Sequence, residues 1–463
     1  MYKSKLFFLL IMSVLLFRCE ERIASNPVDS EYLLIPPELY AAFIDEQDQV
    51  KLSWNNSDGD PESFQIYKQV NSKSWDRELL EDAPGELRQL GDIAPSISDT
   101  CFYDIEANWY GKISRSSNRL SIMSDPNATR YYHFTDNSIS REALALSSNE
   151  LLASVAIRDV RGNTYERSLL VMFDKYANQR WKLQFLDPSP PKFTLMDNDR
   201  IAVSSGNRIL LYDRLGQELS RTDFDPILTT SLAGSGDKLF CLLRKEVDLV
   251  LSSDYTLLTM DFSTESSIEE NLWQNQNASY AHVSSFPNGD ILLSGIILKE
   301  DTGSNSTYRT SILQRRDSEN NEIWTKEIPR KLCTRPTPLN EDGFILLEQD
   351  IQPDAPLFLV KFDGLGEPAW STELVTPRDI VQVIVLIDGI LVLYHDAIQF
   401  VQKYDLDGAL LWESNEDIGR NHRFTSLAEL SQGRVALLGL ASYDRAGNQN
   451  LFIRFLDENE VSP

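Results

Sequence analysis

The sequence predicts an all-β protein in two parts, a small sandwich of short strands followed by seven repeats of four strands each about a common axis. Three observations predict it. Between Leu39 and Ser114, short runs alternate apolar and polar residues with turn clusters between them. From residue 129 onward, a unit of turn, apolar strand and aspartate-ended strand recurs seven times. The composition, 42% hydrophobic with 25% charged and 10% aromatic residues, is that of a chain able to bury cores. At 463 residues it exceeds one ordinary core, so several domains or one large repeat array are required.

The N-terminus comes first in the chain. Lys3 and Lys5 precede a twelve-residue apolar run, Leu6–Phe17. A helix of that length is too short for a hydrocarbon core of about 30 Å but suits the h-region of a signal peptide. Arg18, Cys19 and the pair Glu20-Glu21 follow. A cysteine closing a short h-region resembles the lipobox of bacterial lipoproteins, although Arg18 stands where that family prefers a small residue. The resemblance implies a signal peptide over residues 1–18, lipid attachment at Cys19 and an outer-membrane lipoprotein of a Gram-negative envelope, facing the periplasm or the surface. A secretory signal cut near Ala24-Ser25, giving a secreted protein, and an uncleaved anchor are the other readings. Residues 19–33 lack an apolar period and read as a tether.

The formal charge is −26, and removing residues 1–18 deletes three positive charges and no acid, giving −29. Such a field repels phosphate backbones, so no nucleic-acid partner is expected. Four cysteines are too few for a disulfide scaffold, and Cys101, Cys241 and Cys333 read as small buried hydrophobes.

Residues 34–125 form the predicted sandwich. Leu39–Phe43, Val50–Trp54, Phe64–Lys68, Thr100–Asp104 and Trp109–Ser114 read as strands, with turns at Asn55–Asp60 and Asp82–Gly85. The lead Pro36-Pro37, the setting Val50-x-Leu52-x-Trp54, the strand Phe64-x-Ile66-Tyr67 and the run Asp99-Thr100-Cys101-Phe102-Tyr103-Asp104 resemble a fibronectin type III domain. Ser116–Ser121 resembles its exit strand. The resemblance implies an Ig-like sandwich with Trp54 in its core, a spacer or binding module. Asn56–Asp60 has the acidic look of a calcium loop but lacks the spaced ligands and closing glutamate, so a hairpin turn is expected there.

Residues 129–463 hold the repeats. Each opens on a turn (Asn149-Glu150, Asn198-Asp199, Gly236-Asp237, Gly289-Asp290, Asp342-Gly343, Asp388-Gly389, Gln432-Gly433) followed by an apolar strand such as KLFCLL or ILVLYH. A second strand ends at Asp174, Asp213, Asp261, Asp317, Asp363, Asp405 or Asp457, spaced 39 to 56 residues apart. A third carries tryptophan in five copies, Trp181, Trp273, Trp324, Trp370 and Trp412; the second copy places Leu219 there and the seventh ends too early. One more short strand precedes each opening turn, as in Ala143–Ser148 and Val381–Ile387. Four strands at this period favour blades around an axis, because radial closure removes exposed sheet edges. The seventh copy lacks its last strand, which Arg130–Phe134 is expected to supply.

Lys361–Trp370 (KFDGLGEPAW) and Tyr404–Trp412 (YDLDGALLW) resemble the pyrroloquinoline-quinone-type and WD40-like propeller families, whose blades share L-x-x-x-D-x-x-G-x-x-x-W. The resemblance implies a seven-bladed β-propeller of four-stranded blades, with aspartate and glycine making the turn and the indole filling space between sheets.

Chemistry is sparse. His133, His282, His395 and His422 are scattered, no H-x-x-x-H or C-x-x-C exists, and neither a metal nor any cofactor is expected. No G-x-S-x-G, P-loop or G-x-G-x-x-G is present, and no residue is singled out as catalytic. Adjacent cysteines, a frequent feature of quinoprotein dehydrogenases, are absent. The repeat aspartates read as turn formers. The expected function is a lipid-anchored envelope scaffold whose propeller face binds a protein or glycan, with the loops Arg158–Arg167 and Lys299–Tyr308 as contact surface. The alternatives are an outer-membrane assembly-factor-like lipoprotein, or a propeller hydrolase or lyase with facing carboxylates in the central funnel.

Overall fold

The computed structural model describes residues 34–457 apart from 72–76, 133–137, 159–164, 188–190, 225–227, 246–253, 273–277, 302–305, 330, 334, 340–341, 351–354, 375–378, 396–398, 417–421, 431–433 and 443–448. Cys19, His133 and Phe134 lie outside the described residues. The chain is all-β and divides into two units, one of residues 1–126 with 173–182, the other of residues 127–172 with 183–463.

The first unit contains β1 (Glu38–Ile44), β2 (Gln49–Asn55), β3 (Ser63–Val70), β4 (Glu78–Pro84), β5 (Gln89–Ile93), β6 (Thr100–Trp109), β7 (Lys112–Ile113) and β8 (Leu120–Met123). Sheet order is β1-β2-β5 in one layer and β4-β3-β6-β7 in the other, with β8 also on β6. Alternation in β2 and β3 buries Val50, Leu52, Trp54, Phe64 and Ile66 together. The Trp54 and Phe64 rings meet edge to face, 5.5 Å between centroids. The expected strand Trp109–Ser114 is instead the end of β6, a tight turn and β7. Tyr110 and Gly111 both have positive φ there, which breaks the extended chain. The expected exit strand begins later, at Leu120.

After the first eight strands, β9 (Arg130–Tyr132) precedes seven successive sheets among the described residues. Sheet 1 is β10 (Ser138–Ala145), β11 (Leu151–Arg158), β12 (Tyr165–Phe173) and β13 (Gln179–Phe185). Sheet 2 is β14 (Lys192–Met196), β15 (Arg200–Ser205), β16 (Arg208–Tyr212) and β17 (Glu218–Asp223). Sheet 3 is β18 (Leu228–Ser235), β19 (Lys238–Lys245), β20 (Asp254–Asp261) and β21 (Ser266–Leu272). Sheet 4 is β22 (Ala278–Ser285), β23 (Ile291–Asp301), β24 (Ser306–Arg316) and β25 (Glu322–Pro329). Sheet 5 splits its first strand into β26 (Lys331–Cys333) and β27 (Thr337–Pro338), then β28 (Phe344–Asp350), β29 (Leu357–Phe362) and β30 (Pro368–Glu373). Sheet 6 is β31 (Asp379–Val385), β32 (Ile390–His395), β33 (Gln399–Tyr404) and β34 (Leu410–Glu416). Sheet 7 is β35 (His422–Glu429), β36 (Arg434–Ser442) and β37 (Gln449–Asp457), with β9 as its fourth strand. Arg130, Tyr131 and Tyr132 pair with Ile453, Phe452 and Leu451, so a strand from before the repeats completes the last of them.

First strands touch in succession: β10 meets β14, β14 meets β18, β18 meets β22, β22 meets β27, β27 meets β31, β31 meets β35, and β35 meets β10. The cores lie between sheets. In β19, Leu239, Cys241 and Leu243 pack with Ile209 and Leu211 of sheet 2, while Phe240 and Leu242 pack with Ile291 and Leu293 of sheet 4. Both faces of each such sheet are covered, which is why the second strands read as continuous apolar runs. Cys101 and Cys241 are buried as expected for small hydrophobes, while Cys333 is half-buried; burial pushes the Cys241 thiol up, which keeps it protonated.

Candidate functional site

Turns of sheets 2 to 4, with the end of β27 in sheet 5, surround a cavity of about 620 Å³ within the second unit. It is lined by Asp197, by Gly234–Lys238 of the β18–β19 turn, by Asp261 and Ser263, by Ser285–Gly289 of the β22–β23 turn, and by Ser318 and Pro338. Sequence dictates this composition. A four-residue reversal between paired strands selects glycine, asparagine, aspartate and serine, so turns gathered at one end of a repeat array present main chain, hydroxyls and carboxylates. The Lys238 ammonium donates to the Ser318 carbonyl at 2.8 Å, tying sheet 3 to sheet 4 beside the cavity. Ser285 Oγ donates to the Gly234 carbonyl at 2.7 Å in the same place.

Two of the three carboxylates here, Asp237 and Asp261, are already engaged. Arg200 pairs with Asp237 across sheets 2 and 3. Asp261 accepts from Ser263 Oγ at 2.6 Å and from the Ser263 amide at 2.9 Å. The Ser263 hydroxyl and the turn amides hold its carboxyl below the usual carboxylate range, so it is ionised at neutral pH and has no proton to donate.

The repeat aspartates sit at the turns joining third to fourth strands. One oxygen of Asp213, Asp317, Asp363 and Asp405 accepts the amides two and four residues on, at 2.8 to 2.9 Å. Asp174 makes the same turn with Tyr176 and Asn178, but it is buried, and its other oxygen accepts the Ile44 amide of β1 at 2.8 Å. Both residues belong to the first unit. Asp457 ends β37, as expected of the last copy.

The tryptophans bind neighbours as well as filling space. Trp324 Nε1 donates to the Gly364 carbonyl and Trp370 Nε1 to the Leu406 carbonyl, each at 3.0 Å, in the turn of the next sheet. The same carbonyls accept Arg315 at 2.9 Å and Lys361 at 3.2 Å. A cation two residues before the aspartate therefore belongs to the motif, a signal legible in RRD, VKFD and QKYD that the sequence reading passed over. Trp181 and Trp412 are buried on β13 and β34. Trp273 lies outside the described residues. In sheet 3 the register position that Trp324, Trp370 and Trp412 occupy elsewhere is held by Ile268, opposite Thr259; in sheet 2 it is held by Ser220, next to the exposed Leu219. Trp273 is twelve residues beyond Asp261, where the other tryptophans follow their aspartate by seven.

The expected contact loops differ in kind. Lys299, Glu300 and Asp301 pair with Tyr308, Thr307 and Ser306, so this segment extends the β23–β24 hairpin; its β-branched and aromatic residues favour the ladder. Most of Arg158–Arg167 lies outside the described residues. Among the described residues no cluster of three metal-binding side chains occurs, and no helix is long and apolar enough to cross a membrane.

No protein-family model matches the sequence, and no curated protein matches it. Solved structures similar to it include the β-propeller domain of the Trilobed protease from Pyrococcus furiosus, at 11% identity over 69% of this chain and 96% of that one, TM-score 0.45. The Neurospora crassa Pan2 WD40 domain matches at 10% identity over 70% and 91%, TM-score 0.44. The Pyrococcus horikoshii acylaminoacyl peptidase matches at 12% identity over 69% of this chain and 52% of that one, TM-score 0.45. The propeller-like, four-stranded sheets stand on the strand pairing itself.

Proposed function

We propose a non-catalytic, lipid-anchored cell-envelope protein. In this reading the seven sheets are blades of a closed propeller whose turn face binds a protein or glycan, and the first unit is a fibronectin type III-like spacer. Closure is supported by β9 on β37 and by the succession of first-strand contacts that returns to β10. The observation that carries the binding reading is the polar cavity at the turns, where Ser263, Ser285, Asn288 and Asp197 offer hydrogen-bonding groups suited to sugar hydroxyls or a peptide backbone. Engagement of Asp237 by Arg200 and the depressed carboxyl of Asp261 favour binding over acid–base chemistry.

A glycan array probed with the full chain tests this. Retention is expected on a subset of glycans and should fall with Asn288→Ala and Asp197→Ala. Hydrolysis of a bound glycan that disappears in Asp197→Asn would replace binding with catalysis. The anchor is tested separately: labelled palmitate should enter the wild type and not Cys19→Ala, and equal labelling would remove the anchor.

A further inference from the structure

One position recurs on the first strand of every sheet. Glu142, Lys192, Ser231, His282, Gln382 and Ser426 face the fourth or fifth residue of the second strand: Ser154, Ser294 and Leu393 are fourth, Ser204, Leu242 and Leu438 fifth. Arg335 holds the place in sheet 5, four residues before Leu339 as His282 is four before Phe286, both of which close the same backbone bond. In β10, β18, β22, β31 and β35 the position follows a bulge, a device that re-aims a side chain. It lies roughly 10 Å along the strand from the opening turn.

Three of the seven are used in joining sheets. Ser231 Oγ accepts from the Val283 amide at 3.2 Å, and Gln382 Oε1 accepts from Ser426 Oγ at 3.0 Å and the Leu427 amide at 2.7 Å. The other four carry charge or can. Lys192 meets Glu142 at 2.7 Å and keeps donors to spare. Arg335 is exposed, and among the described residues neither its side chain nor that of His282 makes a hydrogen bond or ion pair. Burial, with the charges of Arg335 and Lys192, brings the His282 imidazole down to about 4, so it is neutral at pH 7 beside two cations.

We propose that this level of the first strands binds a small organic anion, its carboxylate or phosphate held by Arg335 and Lys192 with His282 donating between them. The inference rests on the closed-propeller reading. An acid-rich chain repels anions over its surface, and a group of cations at one level of the first strands reverses the field locally. Arginine supplies a planar fork matched to either anion, and a neutral imidazole adds a donor without a competing charge.

Calorimetric titration of the full chain with D-glucuronate, inorganic phosphate and, as neutral control, D-glucose tests it. At least one anion should bind and glucose should not; the two anions separate a carboxylate source from a phosphate one. Arg335→Gln and Lys192→Gln should each weaken binding at least tenfold with an unchanged circular dichroism spectrum, while Arg335→Lys stays within about threefold. By NMR, saturation with the anion should raise the His282 titration midpoint, because a bound negative charge favours imidazolium. Failure of both anions to bind, or equal affinity in the two glutamine variants, overturns the site. Deletion of residues 129–135 tests closure separately: a melting temperature unchanged by it would remove the ring while leaving the titration result standing by itself.

Discussion

Asp174 and Asp363 occupy the same repeat position, and their environments predict different costs on truncation. Asp363 is exposed and accepts the Leu365 and Glu367 amides at 2.9 and 2.8 Å; water replaces it in Asp363→Ala, so the loss is about 0.5–1 kcal/mol. Asp174 is buried and accepts from the Ile44 amide at 2.8 Å, the Asn178 amide at 2.8 Å, Asn178 Nδ2 at 2.9 Å and the Tyr176 amide at 2.9 Å. Asp174→Ala orphans at least three donors that water reaches poorly, each worth about 1–1.5 kcal/mol. Against this stands relief of the buried carboxylate, whose burial pushes its carboxyl above the usual range. The net loss is about 3 kcal/mol. Hydrogen exchange reads it directly: the Ile44 amide should exchange roughly 100-fold faster in Asp174→Ala and at its wild-type rate in Asp363→Ala. Equal destabilisation by the two variants, within about 0.5 kcal/mol, or an unaltered Ile44 amide, would refute the reasoning.

Three further outcomes follow from the same contacts. Gly408 has φ +86° and an added Cβ would lie 2.9 Å from Trp370 Cε3, so Gly408→Ala should cost about 2 kcal/mol by urea denaturation. Gly236→Ala, with positive φ but open space, should cost about 1. Arg315 is buried against Asp290 at 2.6 Å and also pairs with Asp342, so Arg315→Met should lose about 3 kcal/mol by stranding Asp290, and recover part of it in Arg315→Met/Asp290→Asn. Burial raises the Asp92 carboxyl, but hydrogen bonds from Lys68 and Tyr103 Oη, with the Ile93 amide, bring it below the ordinary value. A depressed acid stabilises the fold above its unfolded pKa of about 3.9 and ceases to do so as pH falls through the folded value. The urea-midpoint advantage of wild type over Asp92→Asn should therefore hold from pH 7 to 5 and shrink below about 4; an advantage undiminished at pH 3 would contradict it.

The sequence by itself determined the strands, the repeat period, the turn chemistry and the strand missing from the last repeat. Those signals are local: two-residue alternation, an Asp-x-x-Gly reversal, and an apolar run continuous because both faces are covered. Short-range patterns cannot show which neighbour completes a contact. Nothing near Asp174 distinguishes it from Asp363, yet only Asp174 receives an amide from 130 residues away. Counting tryptophans puts Trp273 in the set, whereas the seven-residue spacing from the aspartate, which the ladder bears out, puts Ile268 there. The placing of Lys192, His282 and Arg335 on separate sheets likewise depends on strand register, with a bulge before His282, and on contact between first strands, properties of assembled sheets rather than of any single stretch.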